Sequence, residues 1–222
     1  MSSRGRRTKG GKGGGEIQFA LALLVIAVGF FAFTGVREGP KAVRQAWSQV
    51  GVKKVESHSA ILCAAAAESG LDPCLLAGVM YVESRGKVDA VSNKGALGLF
   101  QLMPSAASDA AKKLKLPPPT REQLLSDALL NARLAGVHLA WLYRHEGPSM
   151  ERVLVAYNAG RGTLARWLKD AGGWSRWYES HAARGDSEAL TYAQQVLDFA
   201  ERFRRRGVVV TGSADAVANT GE

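Results

Sequence analysis

Glu83 ends an apolar helical stripe and is followed by a glycine-rich loop, in the run ESRGKVDAVSNKGALGLFQLMP from residue 83 to residue 104. Those types in that order suit an acid catalyst. The preceding LDPCLLAGVMYVES predicts a helix over 73–84, with Asp72 as N-cap, Pro73 at the first helical position and Gly86 just past the end. Leu76, Val79, Met80 and Glu83 fall at i, i+3, i+4 and i+7 and share one face, which points Glu83 toward the core. Burial disfavours the ionised carboxyl, and so does the partial negative charge of a helix C-terminus. Both raise its pKa. A carboxyl that stays protonated near neutral pH donates a proton to a leaving oxygen such as that of a glycosidic bond. On residue types alone, the competing reading is a solvated glutamate fraying off a helix end.

Further groups of residues bear on that choice. Glu83-Ser84, Ala90-x-Ser92, Gly95-Ala96-x-Gly98-Leu99 and Gln101-Leu102-Met103-Pro104 form one, Ala156-Tyr157-Asn158-Ala159-Gly160 a second, and Glu188 with Tyr192 a third. In this order they resemble the three motifs of the Slt-type lytic transglycosylases, whose fold is similar to that of goose-type lysozyme. The spacing Asp127, Asn131, Gly136 resembles that family's helix ahead of the second motif, so the resemblance spans about residues 57–206. One departure stands out: the family usually has Asn-Pro in the loop after Glu-Ser, where this chain has Lys87-Val88. It bears on the rigidity of the loop, not on the acid.

The resemblance implies that Glu83 is a lone acid and base acting on peptidoglycan. In the family, one glutamate protonates the oxygen between N-acetylmuramic acid and N-acetylglucosamine, then helps the muramoyl 6-hydroxyl attack the anomeric carbon. The product is a 1,6-anhydromuramoyl end, and no water is consumed. Hydrolysis would need a second carboxylate. The nearest in sequence is Asp89, which reads more simply as a solvated turn residue.

The other motif residues fit supporting roles on the substrate, each beside a plainer alternative. Ser92 is a donor to the acid or the sugar, or a turn-capping hydroxyl. Gly95 and Gly98 let backbone approach a glycan closely. Gln101 and Met103 line the cleft, although a lone methionine is more often core. Tyr157 and Asn158 hold acetamido groups, or Tyr157 packs in the core with its hydroxyl satisfied. By resemblance, Tyr192 orients the Glu83 carboxylate. Trp174, Trp177 and Tyr178 stack on sugar rings or form one buried helical stripe.

Position and charge extend the reading. With 46% hydrophobic residues, 222 residues can bury one sizeable core of about 150 residues. The net charge of +9 is uneven: residues 1–56 carry ten Lys/Arg against three Asp/Glu, and residues 57–206 nineteen against fifteen. No motif favours nucleic acid, and the basic N-terminus has no interleaved aromatics to stack bases. Residues 1–16 read as a basic, glycine-rich cytoplasmic tail. Residues 17–36 are twenty residues without a charged side chain, long enough to span a bilayer. A cleavable signal peptide is the alternative, but the run is long and no small-x-small site follows.

Residues 37–56 read as a juxtamembrane linker, 57–206 as the catalytic domain and 207–222 as a disordered tail. The resemblance then implies inner-membrane anchoring through a single span, with the domain on the periplasmic side and peptidoglycan strands as its partner. An envelope-complex partner is compatible, and a glycan-binding scaffold without catalysis is the alternative from another class.

The expected fold is mainly α: helices over 58–69, 73–84, 105–114, 121–144, 149–157, 161–170 and 187–206, with at most a small β-hairpin in 87–101. His58, His138, His145 and His181 share no metal-ligand spacing, so no metal and no cofactor is expected. Cys63 and Cys74 would be exported, which permits a disulfide, but a helical hairpin turning near Leu71 leaves Cys74 well short of Cys63.

Overall fold

The computed structural model describes residues 41–207, with side chains from Ser48 onward; the expected tail 1–16, the apolar segment 17–36 and the stretch 208–222 lie outside the described residues. Ten helices follow one another there: α1 Lys41–Glu56, α2 Ser59–Ser69, α3 Pro73–Ser84, α4 Pro104–Lys113, α5 Arg121–Ser126, α6 Ala128–Glu146, α7 Met150–Ala159, α8 Arg161–Ala171, α9 Trp174–Arg184 and α10 Glu188–Arg206. The chain is mainly helical, as expected. Among the described residues no helix is long and apolar enough to cross a membrane.

The helix that carries Glu83 begins and ends as its sequence dictates. The Asp72 side chain accepts a hydrogen bond from Cys74 N at 2.8 Å, and Pro73 fills the position where an N–H would go unused. Arg85 then leaves the helix in the left-handed conformation, and Gly86 continues it with φ 75°. Every residue from Cys74 to Tyr81 is buried, so α3 runs through the centre of the core rather than along its edge. No disulfide joins Cys63 and Cys74; both are thiols.

Two expectations need correcting. The single helix expected over 121–144 is two, because Asp127 adopts an extended ψ of 93°. Its N–H closes α5 on Gln123 O, and its side chain caps α6 by accepting from Leu130 N at 2.8 Å. The segment expected as a linker, 37–56, is α1 from Lys41 on, and its Val52 and Val55 belong to the core. The compact unit accordingly starts at Val50, ahead of Ser57. Gly86 shows why: a side chain there would meet the Lys54 and Val55 backbone at 3.1 Å, and His58 Nε2 lies 3.2 Å from Gly86 O.

The stripe Trp174, Trp177 and Tyr178 lies on a helix, α9, which forms between Gly172–Gly173 and Gly185, all three at positive φ. The loop 87–103 folds as two isolated antiparallel bridges, Val91 with Leu97 and Leu97 with Leu102, which is less than the hairpin allowed for.

Packing of α3 against α10 sets the distance between the two parts of the site. Tyr81 stacks on Phe199 with ring centroids 3.7 Å apart, and Gly78 lets the backbones meet: a Cβ there would lie 2.4 Å from Val196 O and 3.0 Å from Ala200 N. Both obstacles are backbone, so neither can rotate away. Gly78→Ala is therefore expected to cost about 1–3 kcal/mol through forced separation of the helices. A urea unfolding midpoint unchanged from wild type would refute this account of the packing.

Candidate active site

Glu83 lies in the last turn of α3, partly buried, and its Oε1 accepts a hydrogen bond of 2.8 Å from the Tyr192 hydroxyl on α10. Burial pushes the carboxyl up to about 7, and the Tyr192 bond, which favours the ionised form, pulls against it. Tyr157, at the end of α7, donates from its hydroxyl to Phe100 O at 2.8 Å. Burial, and then the charge of Glu83, push its phenol up, as they do that of Tyr192. Three residues drawn from the three motifs thus share one electrostatic neighbourhood. The loop that follows Glu83 is tied to the same helix end, since Ser84 Oγ donates to Leu99 O at 2.7 Å.

The remaining predicted residues divide by what their polar atoms touch. Ser92 builds its turn, with Oγ accepting from Ala96 N at 2.9 Å. Gln101 adopts φ 48°, and its Nε2 donates to Ala90 O at 3.0 Å and Gly98 O at 2.9 Å, bracing the same loop. At Gly98, φ 78°, a Cβ would sit 2.3 Å from both Asn131 Nδ2 and Leu124 O. The close approach that this glycine permits is to the protein itself. Asp89 is exposed and 3.8 Å from Lys87, which matches the solvated reading. The structure thus gives Ser92, Gly98 and Gln101 roles inside the loop.

Met103, Tyr157 and Asn158, by contrast, line a cleft of about 1100 Å³. Its walls also carry residues that sequence reasoning left out. His138, Trp141, Arg161 and His181 face it. The His138 ring lies 5.6 Å from Tyr157 and 6.0 Å from Trp141, and Trp141 lies 4.4 Å from His145. Positions 138, 141 and 145 share one face of α6, and that spacing was the available signal. Burial, reinforced by the Lys113 charge, pushes His138 down to about 4, so its imidazole is neutral at physiological pH. Trp177 lines the cleft but is buried, stacked on Trp167 at 5.6 Å and Trp174 at 5.4 Å. The helical-stripe reading of that cluster fits this packing. Among the described residues no group of three or more metal-ligating side chains converges.

A neutral acid held in the fold has a measurable consequence. Between an ordinary carboxylate value near 4.5 and the folded value of about 7, the folded state keeps a proton that the unfolded chain gives up, so stability falls as pH rises through that window. Glu83→Gln removes the titration. Relative to wild type it is expected to gain on the order of 3 kcal/mol between about pH 4.5 and about pH 8, read from urea midpoints at the two values. Parallel pH dependences of the two proteins would contradict a buried, raised carboxyl.

Known proteins resemble this chain in sequence and fold. The family model described as Transglycosylase SLT domain matches residues 61–179, which includes the first two motifs and ends before Glu188 and Tyr192. The soluble lytic murein transglycosylase of Escherichia coli (strain K12) is 31% identical over 91 residues, 41% of this chain and 14% of that protein. The endo-type membrane-bound lytic murein transglycosylase A of Klebsiella pneumoniae (strain ATCC 700721 / MGH 78578) is 31% identical over 132 residues, 53% of this chain and 62% of that protein. An X-ray structure of an inactive mutant of lytic transglycosylase Slt from Pseudomonas aeruginosa has a TM-score of 0.58 at 30% identity, over 67% of this chain and 24% of that one. The chain spans less than two thirds of the length of each. The family model covers more than half of the 222 residues, across the helix of Glu83, its loop and the Tyr157 motif, and by that match the chain belongs to the family of SLT transglycosylase domains.

Proposed function

We propose that this domain is a peptidoglycan lytic transglycosylase in which Glu83 is the only acid and base. The observation that carries the reading is the Glu83 carboxyl itself, raised to about 7 by burial with one neutral donor, Tyr192, at 2.8 Å. At neutral pH a large share of it is protonated. It gives that proton to the oxygen linking N-acetylmuramic acid to N-acetylglucosamine as the bond to the anomeric carbon breaks. The carboxylate left behind is stabilised by the Tyr192 hydroxyl and accepts the proton of the muramoyl 6-hydroxyl as O6 bonds to the anomeric carbon. Proton and electron pair balance, and the 1,6-anhydro ring closes without water.

A lone carboxylate supports this course over hydrolysis. Two-carboxylate glycosidases hold their second group within about 5–10 Å of the first, where like charge would add to the shift. The groups that shift Glu83 are burial and Tyr192, with no carboxylate among them. Met103, Tyr157 and Asn158 on the cleft wall are the residues that hold the strand, and the neutral phenols beside Glu83 suit acetamido and hydroxyl groups.

The test is mass spectrometry of muropeptides released from purified sacculi by the full chain. Anhydromuramoyl ends are expected, with release falling as pH rises through about 7 because the acid form is consumed. Glu83→Gln is expected to lower release by more than about 100-fold while still sedimenting with sacculi. Reducing ends in place of anhydro ends would replace this mechanism with hydrolysis.

Residues 17–36, without a charged side chain, support a single inner-membrane anchor with the domain on the periplasmic side. The chain is then expected to stay in the membrane pellet through alkaline carbonate extraction, and to leave it when residues 1–40 are deleted. Solubility of the intact chain under carbonate would exclude the anchor.

A further inference from the structure

The first residues of the compact unit begin a charged face that lies outside the cleft. On α1, Val50, Lys53 and Lys54 fall at i, i+3 and i+4 and share one exposed side of the helix, with Val50 58% exposed. Two glycines fix what lies beside it. A side chain at Gly51 would begin 3.3 Å from Arg85 Cβ, and one at Gly86 would begin 3.2 Å from Lys54 Cγ, so α1 and the C-terminal end of α3 are in direct contact. Arg85 extends over the Tyr81 ring, its Cζ 5.6 Å from the centroid, and Tyr81 stacks on Phe199. Arg202 Cζ, on α10, lies 5.0 Å from the Phe199 centroid. Three helices thus bring four exposed cations, Lys53, Lys54, Arg85 and Arg202, to neighbouring positions, and none of them lines the cleft.

The carboxylates around this face are engaged elsewhere. Glu56 pairs with Arg206, Glu201 with Arg204 and Arg205, and Asp89 with Lys87. Asp198, exposed one turn before Arg202, is not within ion-pairing distance of it; among the described residues none of the four cations forms an ion pair. The C-terminal dipoles of α1 and α3 favour cations at Lys53, Lys54 and Arg85 while leaving their charged ends in solvent. Position in the chain points to what covers them. Val50 follows the uncharged segment 17–36 by fourteen residues, a length of chain that spans at most about 50 Å. A surface charge is felt only within a screening length of about 8 Å, so cations gain from a headgroup layer by touching it. A basic face with an exposed valine matches a layer that is anionic outside and apolar beneath.

We propose that Val50, Lys53, Lys54, Arg85 and Arg202 form a face that docks on anionic phospholipid headgroups. This rests on the anchor reading and adds to it that the domain is held against the bilayer, with the cleft outside the contact, rather than swinging on a tether.

The test labels lysines with an uncharged acetylating reagent in the full chain reconstituted into vesicles, one set all phosphatidylcholine and the other with phosphatidylglycerol added, and reads each site by mass spectrometry. Lys53 and Lys54 are expected to react about fivefold more slowly on the anionic vesicles, the scale of one basic residue at a charged surface. Exposed Lys169, on α8, should react alike on both. Arg85→Gln combined with Arg202→Gln is expected to narrow the difference at Lys53 and Lys54, and added salt to erase it. Equal rates on the two kinds of vesicle overturn the face. Slowing by purified sacculi and not by anionic vesicles also overturns it, because the same cations would then belong to the wall. Flotation tests the anchor separately: a chain that does not float with phosphatidylcholine vesicles refutes the anchor, whatever Lys53 and Lys54 do on the anionic ones.

Discussion

A partly buried carboxyl at the end of a helix, with a phenol as its hydrogen-bond donor among the described residues, is the constraint to which the rest of the domain answers. Ionised, Glu83 would face both the cost of desolvation and the negative end of the α3 backbone dipoles. A cation beside it would remove the penalty and the acidity together. The structure instead supplies one neutral donor, the Tyr192 hydroxyl, which steadies the ion without fixing it. That donor comes from α10, and its reach depends on how closely α10 lies against α3. Gly78 is what makes this possible: it lets the Val196 carbonyl and the Ala200 amide come to distances that no side chain at that position would allow. The aromatic stack of Tyr81 on Phe199 holds the same seam one turn farther along.

The loop after Glu83 is built on a second economy. It has glycines enough to be mobile, yet its backbone groups are taken up one by one. Buried Asn131 ties the loop to α5: Oδ1 accepts from Phe100 N at 3.0 Å, and Nδ2 donates to Leu97 O in the loop and to Leu124 O of α5, each at 3.1 Å. Gln101 spends its side-chain donors on Ala90 O and Gly98 O while sitting in the left-handed region, a conformation that costs a non-glycine residue about 1–2 kcal/mol. Its two hydrogen bonds offset that cost. Lys87-Val88, where the resemblance would place Asn-Pro, does not leave the loop loose: Gly86 is pinned by His58 on one side and the loop by Ser84 on the other. Rigidity is supplied by contacts distant in sequence.

That distance explains how much the sequence could reveal. The helix of Glu83 was legible to its ends because its signals are local: a capping Asp72, Pro73 after it and a glycine beyond Arg85. The pairing of Glu83 with Tyr192 followed only from resemblance, since 109 residues separate them and no spacing rule connects α3 to α10. Ser92, Gly98 and Gln101, expected on substrate, make contacts in the structure that build the loop. A residue type with hydrogen-bonding capacity does not reveal whether its partner is the protein or a ligand. Helix α9 was legible only as a stripe of Trp174, Trp177 and Tyr178, whose spacing does not by itself fix the ends of a helix. The split at Asp127 was hidden by a helical pattern continuing across one extended residue.

The placement of charge along the cleft follows from the same constraint. A cation within about 4–6 Å of a carboxyl lowers its pKa by one to three units, enough to return Glu83 to an ordinary acid. Recognition close to the acid therefore has to be neutral. The groups there are neutral: Tyr157 and Tyr192 as phenols held above their usual range, and His138 as an imidazole held below its own. Lys113 contributes to that depression of His138, yet no cation contributes to the shift of Glu83. The neutral rings of Tyr157 and His138 lie in line between Glu83 and Trp141, and the cations that gather on Trp141 add nothing to the shift of the Glu83 carboxyl.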